Sequence, residues 1–224
     1  MKNRTNFINN TASTGIQNPQ KVLGSSFPEW VFCWCWLNFY IMKGIMFKED
    51  MFKAVIEGRK TQTRRIVKID PSFNLIGKGI TGFTTFEDSK LNIYGVYPRY
   101  DNREVIYLKE PYMLINNIPY YRYNDEKESN GGLLKWKNKM FMPEKYARYF
   151  IKITNVRVER LQDISEEDSM TEGISLPNYA EQTITDVRYP EPSAIFQDLW
   201  NSINGSESWD INPWVWVYTF ELIK

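Results

Sequence analysis

Gly58-Arg59-Lys60-Thr61-Gln62-Thr63-Arg64-Arg65 puts four cations and two hydroxyls into eight residues, and its flanks decide how the chain is read. On its N-terminal side, Lys48 to Glu57 carries Met51, Phe52, Val55 and Ile56 on one face of a helix. Gly58 is placed to take the left-handed conformation that ends that helix. On its C-terminal side, Ile66 to Ile69 reads as the start of a strand, with Asp70-Pro71 as its stop. The cationic run is therefore expected to be a connection between helix and strand, free to aim side chains into a cleft. From Arg59 to Lys68 there are five Lys or Arg residues and no acid, a charge density that suits an anionic or carbonyl-bearing ligand. The same composition also suits a solvated polar turn.

Composition narrows the chemistry. The chain has 224 residues, 25% of them charged and 16% aromatic, with a formal net charge of +1. It is long enough for one sizeable core, or for a core with an insertion. Near-neutrality removes the global basic field that drives sequence-independent DNA binding, so a nucleic-acid contact needs a local patch. There is no histidine, which removes Ser-His-Asp and Cys-His nucleophile systems, His-ligated zinc and the histidine general base together. Cys33 and Cys35 are the two cysteines; one residue apart, they cannot build a four-cysteine metal site. No metal or cofactor is expected, and a reducing cytoplasm suits the cysteine usage. An enzyme of this composition must work with Lys, Thr or Ser, Tyr and carboxylates.

The rest of the chain reads as α+β. Residues 1–26 are polar and aperiodic, and 27–41 are abruptly aromatic. That run is too short for a membrane span, which needs about 20 apolar residues. It suits a peripheral element packed on the body or an extension without settled fold, so 1–41 is set apart from a body at 42–224. Residues 72–104 suggest short hairpins, Val105 to Pro111 a strand closed by proline, and Asn124 to Gly132 a surface loop. Tyr149 to Arg160 reads as a long strand whose apolar parity slips near Thr154-Asn155, the mark of a bulge and a bend. Ser165 is an N-cap for a short helix with acids in its first turn, ended by Glu172-Gly173. Pro192 to Ile203 gives a third helix with Ile195, Phe196, Leu199 and Ile203 inward, stopped by Asn204-Gly205. Trp214 to Phe220 is apolar on both parities and is expected to be a strand covered on both faces, with Trp214 and Trp216 in the core.

Three pieces together carry a resemblance: helix, Gly-Arg-Lys-Thr-Gln-Thr-Arg-Arg and strand; then a strand followed by Leu-Gln-Asp-Ile-Ser-Glu-Glu-Asp-Ser-Met-Thr-Glu-Gly-Ile; then a terminal Trp-Val-Trp-Val strand. This resembles the ASCH domain family, whose fold is similar to the PUA RNA-binding domain. It is most similar to the larger ASCH-like proteins common in bacteriophages and prophages. The resemblance covers most of 43–224, is most specific at the first two motifs, and leaves 1–41 without a counterpart and 72–148 as an insertion. It implies a small bent β-barrel of PUA-like type flanked by short helices. Val105-Ile106-Tyr107-Leu108-Lys109-Glu110 lacks the Gly and Trp of the family's usual Gly-Asp-x-x-Trp-Val-Arg-Glu.

Within that family, the small bacterial N4-acetylcytidine amidohydrolases resemble the chain at the same two places. Their catalytic Lys and Thr fall on Lys60 and Thr63, and their catalytic Glu on Glu172. The resemblance then implies Thr63 as the hydroxyl nucleophile, Lys60 as its proton acceptor, and Glu172 as the partner of the lysine or a proton shuttle. Neighbouring Arg59, Arg64 and Arg65 lower the lysine pKa while Glu172 raises it. Arg59, Thr61, Arg64, Arg65 and Glu110 are expected around the ligand. The expected partner is RNA or a modified nucleoside bound beside Arg59–Arg65, with no metal and no membrane involved. One reading is a module that binds it without chemistry, another an amidohydrolase that cleaves an N4-acylated cytosine amide there through Lys60, Thr63 and Glu172. The alternative is a non-catalytic phage structural or interaction protein with a vestigial cleft.

Overall fold

The structure, a computed structural model, describes residues 42–78, 83–123, 135–174 and 190–223. The expectations for 1–26, 27–41 and 124–132 lie outside the described residues.

The fold is α+β, built on a five-stranded sheet. Its strands are β1 (Gly44–Met46), β2 (Gln62–Ile66), β6 (Val105–Lys109), β9 (Phe150–Arg160) and β10 (Trp214–Ile223), in the order β1-β6-β9-β10-β2. Only the β1–β6 pair is parallel. Between β2 and β6 the chain makes a separate three-stranded antiparallel sheet, β3 (Asn74–Lys78), β4 (Thr84–Glu87) and β5 (Ile93–Val96). After β6 it makes a hairpin of β7 (Tyr112–Ile115) and β8 (Ile118–Tyr121). Because β6 belongs to the main sheet, the extra material of 72–148 falls into two excursions on either side of it.

β10 explains how the layers are arranged. Trp216, Tyr218 and Phe220 face a core with Ile45, Phe52, Ile106, Ile151 and Ile153, while Val215 and Val217 face a second core with Leu161, Phe196 and Trp200. Successive side chains of a strand point to opposite faces, so a strand apolar on both parities has to sit between two layers. Each large side chain fully buried here contributes about 1.5–3 kcal/mol. Opposite β10, the β9 register skips at the expected place: Thr219 faces Asn155 and Phe220 faces Ile153, leaving Thr154 as the bulged residue. The bulge re-aligns Ile151 and Ile153 with the first core and adds local twist.

The helices follow their signals. Helix α1 (Glu49–Ile56) has Glu49 and Asp50 in its first turn and ends at Gly58, whose φ is +77°. The Ser165 hydroxyl accepts from the Asp168 N–H at 3.0 Å and caps α2 (Glu166–Thr171). Helix α3 (Pro192–Asn204) starts on a proline and buries Phe196 and Trp200. Ile203, expected inward, is exposed, and Trp200 takes the deep position because it lies one turn beyond Phe196.

One boundary differs in a way that matters for the site. The strand expected at Ile66 to Ile69 is instead Gln62–Ile66, inside the cationic run, because these residues pair with Thr219 to Val215 of β10. The run is thus half turn, half edge strand. At the far edge, β1 is joined to β2 by no backbone ladder among the described residues; the Arg65 guanidinium donates across the gap to the Met46 carbonyl at 3.0 Å.

Candidate functional site

Strand parity sorts the cationic run onto two faces. Arg64 lies opposite Val217, and in β9 Arg157 and Glu159 lie opposite Val217 and Val215. All three therefore point to the side of the sheet carrying α2 and α3. Thr63 and Arg65 lie opposite Tyr218 and Trp216 and point the other way. Since β2 is an edge strand, a cavity wrapping its free edge draws on both sets.

Lys60 is held by the end of α2. Its backbone N–H donates to the Ala54 carbonyl at 3.0 Å, the next N–H, of Thr61, donates to the Thr171 carbonyl at 2.9 Å, and Lys60 and Glu172 form an isolated antiparallel bridge. Gly173 makes this approach possible. Its φ is +80°, and a Cβ there would lie 2.7 Å from the Lys60 Cβ and 3.0 Å from that of Ala54. The Lys60 ammonium then donates to a Glu172 carboxylate oxygen at 2.6 Å and to the Glu172 carbonyl at 2.7 Å. Both residues are about 3% exposed.

Arg64 is the hub of the neighbouring network. Its buried guanidinium reaches Glu172 at 3.1 Å, Glu159 at 2.7 Å and Asp168 at 2.9 Å. Arg157 closes the ring, donating to Glu159 at 3.0 Å and to Asp168, and Gln62 donates to Asp168 at 2.9 Å. Lys60, Arg64 and Arg157 are thus balanced by Glu159, Asp168 and Glu172. The strongly positive field expected from the run is neutralised at its centre by carboxylates from β9 and α2.

The sequence offered two opposing influences on Lys60, and burial supplies a third and larger one. Burial holds the lysine pKa below its ordinary value; the Glu172 charge and hydrogen bond oppose this without restoring it, and Arg65 and Arg64 add to the lowering. Arg59 takes no part, being half-exposed and paired with Glu57 at 2.8 Å. Burial also acts against the Arg64 guanidinium, but Glu172 and Glu159 outweigh it and its pKa is raised.

Lys60, Thr63 and Glu172 line one cavity of about 340 Å³, together with Arg64, Arg65 and Lys139, and with Phe47, Phe196 and Trp200 as apolar walls. Thr63 is buried, and its hydroxyl has no hydrogen-bond partner among the described residues. Lys139 is anchored on the Phe47 carbonyl. Arg65 stacks over Phe47 with its carbon 5.6 Å from the ring centre. The residues expected to share a site are therefore partly assembled: Lys60, Thr63, Glu172, Arg64 and Arg65 meet. Arg59 and Thr61 do not line the cavity, and neither does Glu110, which is fully buried in a bidentate pair with Arg148, both bonds 2.7 Å. Arg148 itself stacks 4.1 Å from the Tyr121 ring centre.

Glu159, Asp168 and Arg157 were not foreseen. Their signal was present, as Arg157 and Glu159 are charges two apart in an apolar strand, and Asp168 in α2 is four residues before Glu172, the residue that caps its end. Among the described residues no group of His, Cys, Asp or Glu side chains is placed to hold a metal ion, and no helix is long and apolar enough to cross a membrane. No family model, curated protein or solved structure matches the chain.

Proposed function

We propose that the cavity beside β2 is the active site of a metal-independent amidohydrolase acting on an acylated cytosine nucleoside. The bent sheet, its two edges bridged by Arg65, then corresponds to an incompletely closed barrel of the PUA-like kind. The observation that carries the reading is the convergence of Lys60, Thr63 and Glu172, 112 residues apart in sequence at Lys60 and Glu172, on one small cavity with the lysine pKa lowered by burial.

Amide hydrolysis needs a nucleophile, a proton acceptor and a donor for the oxyanion. The Thr63 oxygen attacks the acyl carbon as its proton passes to neutral Lys60. Arg65 meets the oxyanion, since the Arg64 guanidinium is occupied by carboxylates. Collapse breaks the C–N bond, and the lysine ammonium, held by Glu172, returns its proton to the leaving amine. Water then attacks the Thr63 ester as its proton passes to Lys60. Collapse breaks the ester C–O bond, Lys60 returns that proton to the Thr63 oxygen, and the acid leaves as its carboxylate with its proton lost to solvent. A cavity of this size suits one base and its acyl group and lies at the small end of the ~300–1,000 Å³ typical of ligand pockets.

A second reading, a binding module for RNA or a modified nucleoside, draws on the same side chains and on the uncompensated Arg65. A panel of N4-acylated cytidines separates the two. Hydrolysis that disappears in Thr63→Ala and Lys60→Arg while ligand affinity persists supports the enzyme. Binding without turnover of any panel member supports the module.

A further inference from the structure

A second, larger concavity lies on the other side of Arg65. It measures about 700 Å³ and takes its walls from β1, β2 and β10 and from the residues following β5. Three cations line it, Arg65, Lys68 and Arg99, and no carboxylate does. This sets it apart from the buried ion-pair network around Lys60 and Arg64. Lys60, Arg64, Arg157, Arg148, Lys43 and Arg59 are each within ion-pair distance of an acid. Among the described residues, Arg65, Lys68 and Arg99 have no such partner. Aromatic rings accompany the charge: Trp216 forms part of the floor, and Tyr97, 65% exposed, stands in the lining braced by Phe83 at 4.8 Å between ring centres.

The wall is fixed in place. The Tyr218 hydroxyl accepts from the Arg99 N–H at 3.0 Å, and the Tyr100 hydroxyl donates to the Gly44 carbonyl at 3.2 Å. The segment from Gly95 to Tyr100 is thereby pinned to β10 and β1. Its position follows from the β3–β5 sheet, whose Phe86 packs edge-on against Trp214 at 5.5 Å. The extra chain between β2 and β6 thus builds half of this concavity.

Guanidinium and ammonium groups without an acid partner beside the exposed Tyr97 ring suit a ligand with an anionic group and a flat ring, since phosphate takes charge-assisted hydrogen bonds and bases stack on aromatic rings. We propose that this concavity binds a phosphate-bearing nucleotide, its phosphate held by Arg99 and Lys68 and its base stacked on Tyr97. Arg65, Met46 and Ile66 line both cavities, so a nucleotide here neighbours whatever occupies the Lys60 cavity. The proposal deepens the preceding reading by making the substrate phosphorylated rather than a free nucleoside, but its test does not depend on catalysis.

The experiment is calorimetric titration of the full chain with cytidine, cytidine monophosphate, inorganic phosphate and a short oligoribonucleotide. None carries an acyl group, so the result stands apart from whether the neighbouring cavity hydrolyses an amide. The monophosphate is expected to bind at least about tenfold more tightly than cytidine and than phosphate alone, as one charge-assisted contact implies. Arg99→Ala is expected to erase the advantage over cytidine, and Tyr97→Ala the advantage over phosphate. Both side chains are exposed or at the surface, and each variant's thermal unfolding is compared with wild type. If the oligonucleotide binds more tightly and with a steeper salt dependence than the monophosphate, the site takes a nucleotide within a strand; equal affinity indicates a free nucleotide. Equal affinity for cytidine and its monophosphate, or a phosphate preference that survives Arg99→Ala and Lys68→Ala together, overturns the proposal.

Discussion

Glu172→Gln isolates the buried lysine. The substitution keeps the shape of the side chain but removes the charge facing Lys60 at 2.6 Å and Arg64 at 3.1 Å. Arg64 retains Glu159 and Asp168, so the loss of charge falls on Lys60, which keeps neutral acceptors alone, the backbone carbonyl of residue 172 at 2.7 Å and the side-chain amide oxygen. The folded variant then has two routes. It can bury an unpaired ammonium, which costs about 3–5 kcal/mol. Or it can release the proton, which at pH 7 costs about 5 kcal/mol against an unfolded lysine titrating near its ordinary value, and about 2 kcal/mol at pH 9. The folded state on the second route binds fewer protons than the unfolded one, so stability rises with pH. We therefore expect urea unfolding to show a loss of about 3–5 kcal/mol at pH 7 and about 2 kcal/mol at pH 9. Glu167→Gln, on the exposed face of α2, is the control, expected within about 0.5 kcal/mol of wild type at both values. A Glu172→Gln loss below about 1 kcal/mol at pH 7, or one unchanged at pH 9, refutes the reasoning, because it means Lys60 is not a buried cation dependent on that carboxylate.

Gly173→Ala forces a side chain into a backbone at φ +80° and against the Lys60 Cβ. It is expected to cost about 1–3 kcal/mol in chemical denaturation and to displace the lysine from the cavity. Burial pushes the Tyr218 phenol up to about 12. Its folded value lies above the unfolded one, so the stability it contributes is complete below pH 10 and is lost as pH rises to 12. Tyr218→Phe should lessen the alkaline loss between those values by about 3 kcal/mol in thermal or urea unfolding. Arg64→Ala takes a buried cation from Glu159, Asp168 and Glu172 at once, leaving them to Arg157 and Lys60, and should cost more than about 3 kcal/mol, whereas half-exposed Arg59→Ala should stay within about 1 kcal/mol by the same assay.

What could be read in the sequence divides along the range of the physics involved. The Ser165 cap, the Gly58 and Gly173 stops, the proline start of α3, the Thr154 bulge and the doubly covered β10 are local signals, set by backbone preference and by the period of the apolar residues. The start of β2 differs from the expected Ile66 because Gln62 to Ile66 is a strand only through pairing with β10, about 150 residues away in sequence. Lys60, Thr63 and Glu172 were singled out by resemblance to a motif, and their approach to one cavity depends on the β2–β10 pairing and the small Gly173. Glu159 and Asp168 as the counter-charges of Arg64 could not be read, since ion pairs between distant segments leave no periodic trace. For the same reason the basic run reads as a positive patch in sequence while, in the fold, the unpaired charge is moved to Arg65 and its neighbours Lys68 and Arg99.

The account rests on Thr63 and Lys60 performing chemistry rather than filling space. The most direct measurement is the rate at which purified protein forms free cytidine from N4-acetylcytidine, followed by chromatography for wild type and Thr63→Ala at equal concentration, from pH 6 to pH 10. The account predicts wild-type turnover that climbs with pH as Lys60, its pKa held below the ordinary lysine value by burial, loses its proton. It also predicts a rate at least about a hundredfold lower in Thr63→Ala. Cytidine formation that is equal in the two proteins, or absent from wild type throughout the range, contradicts it.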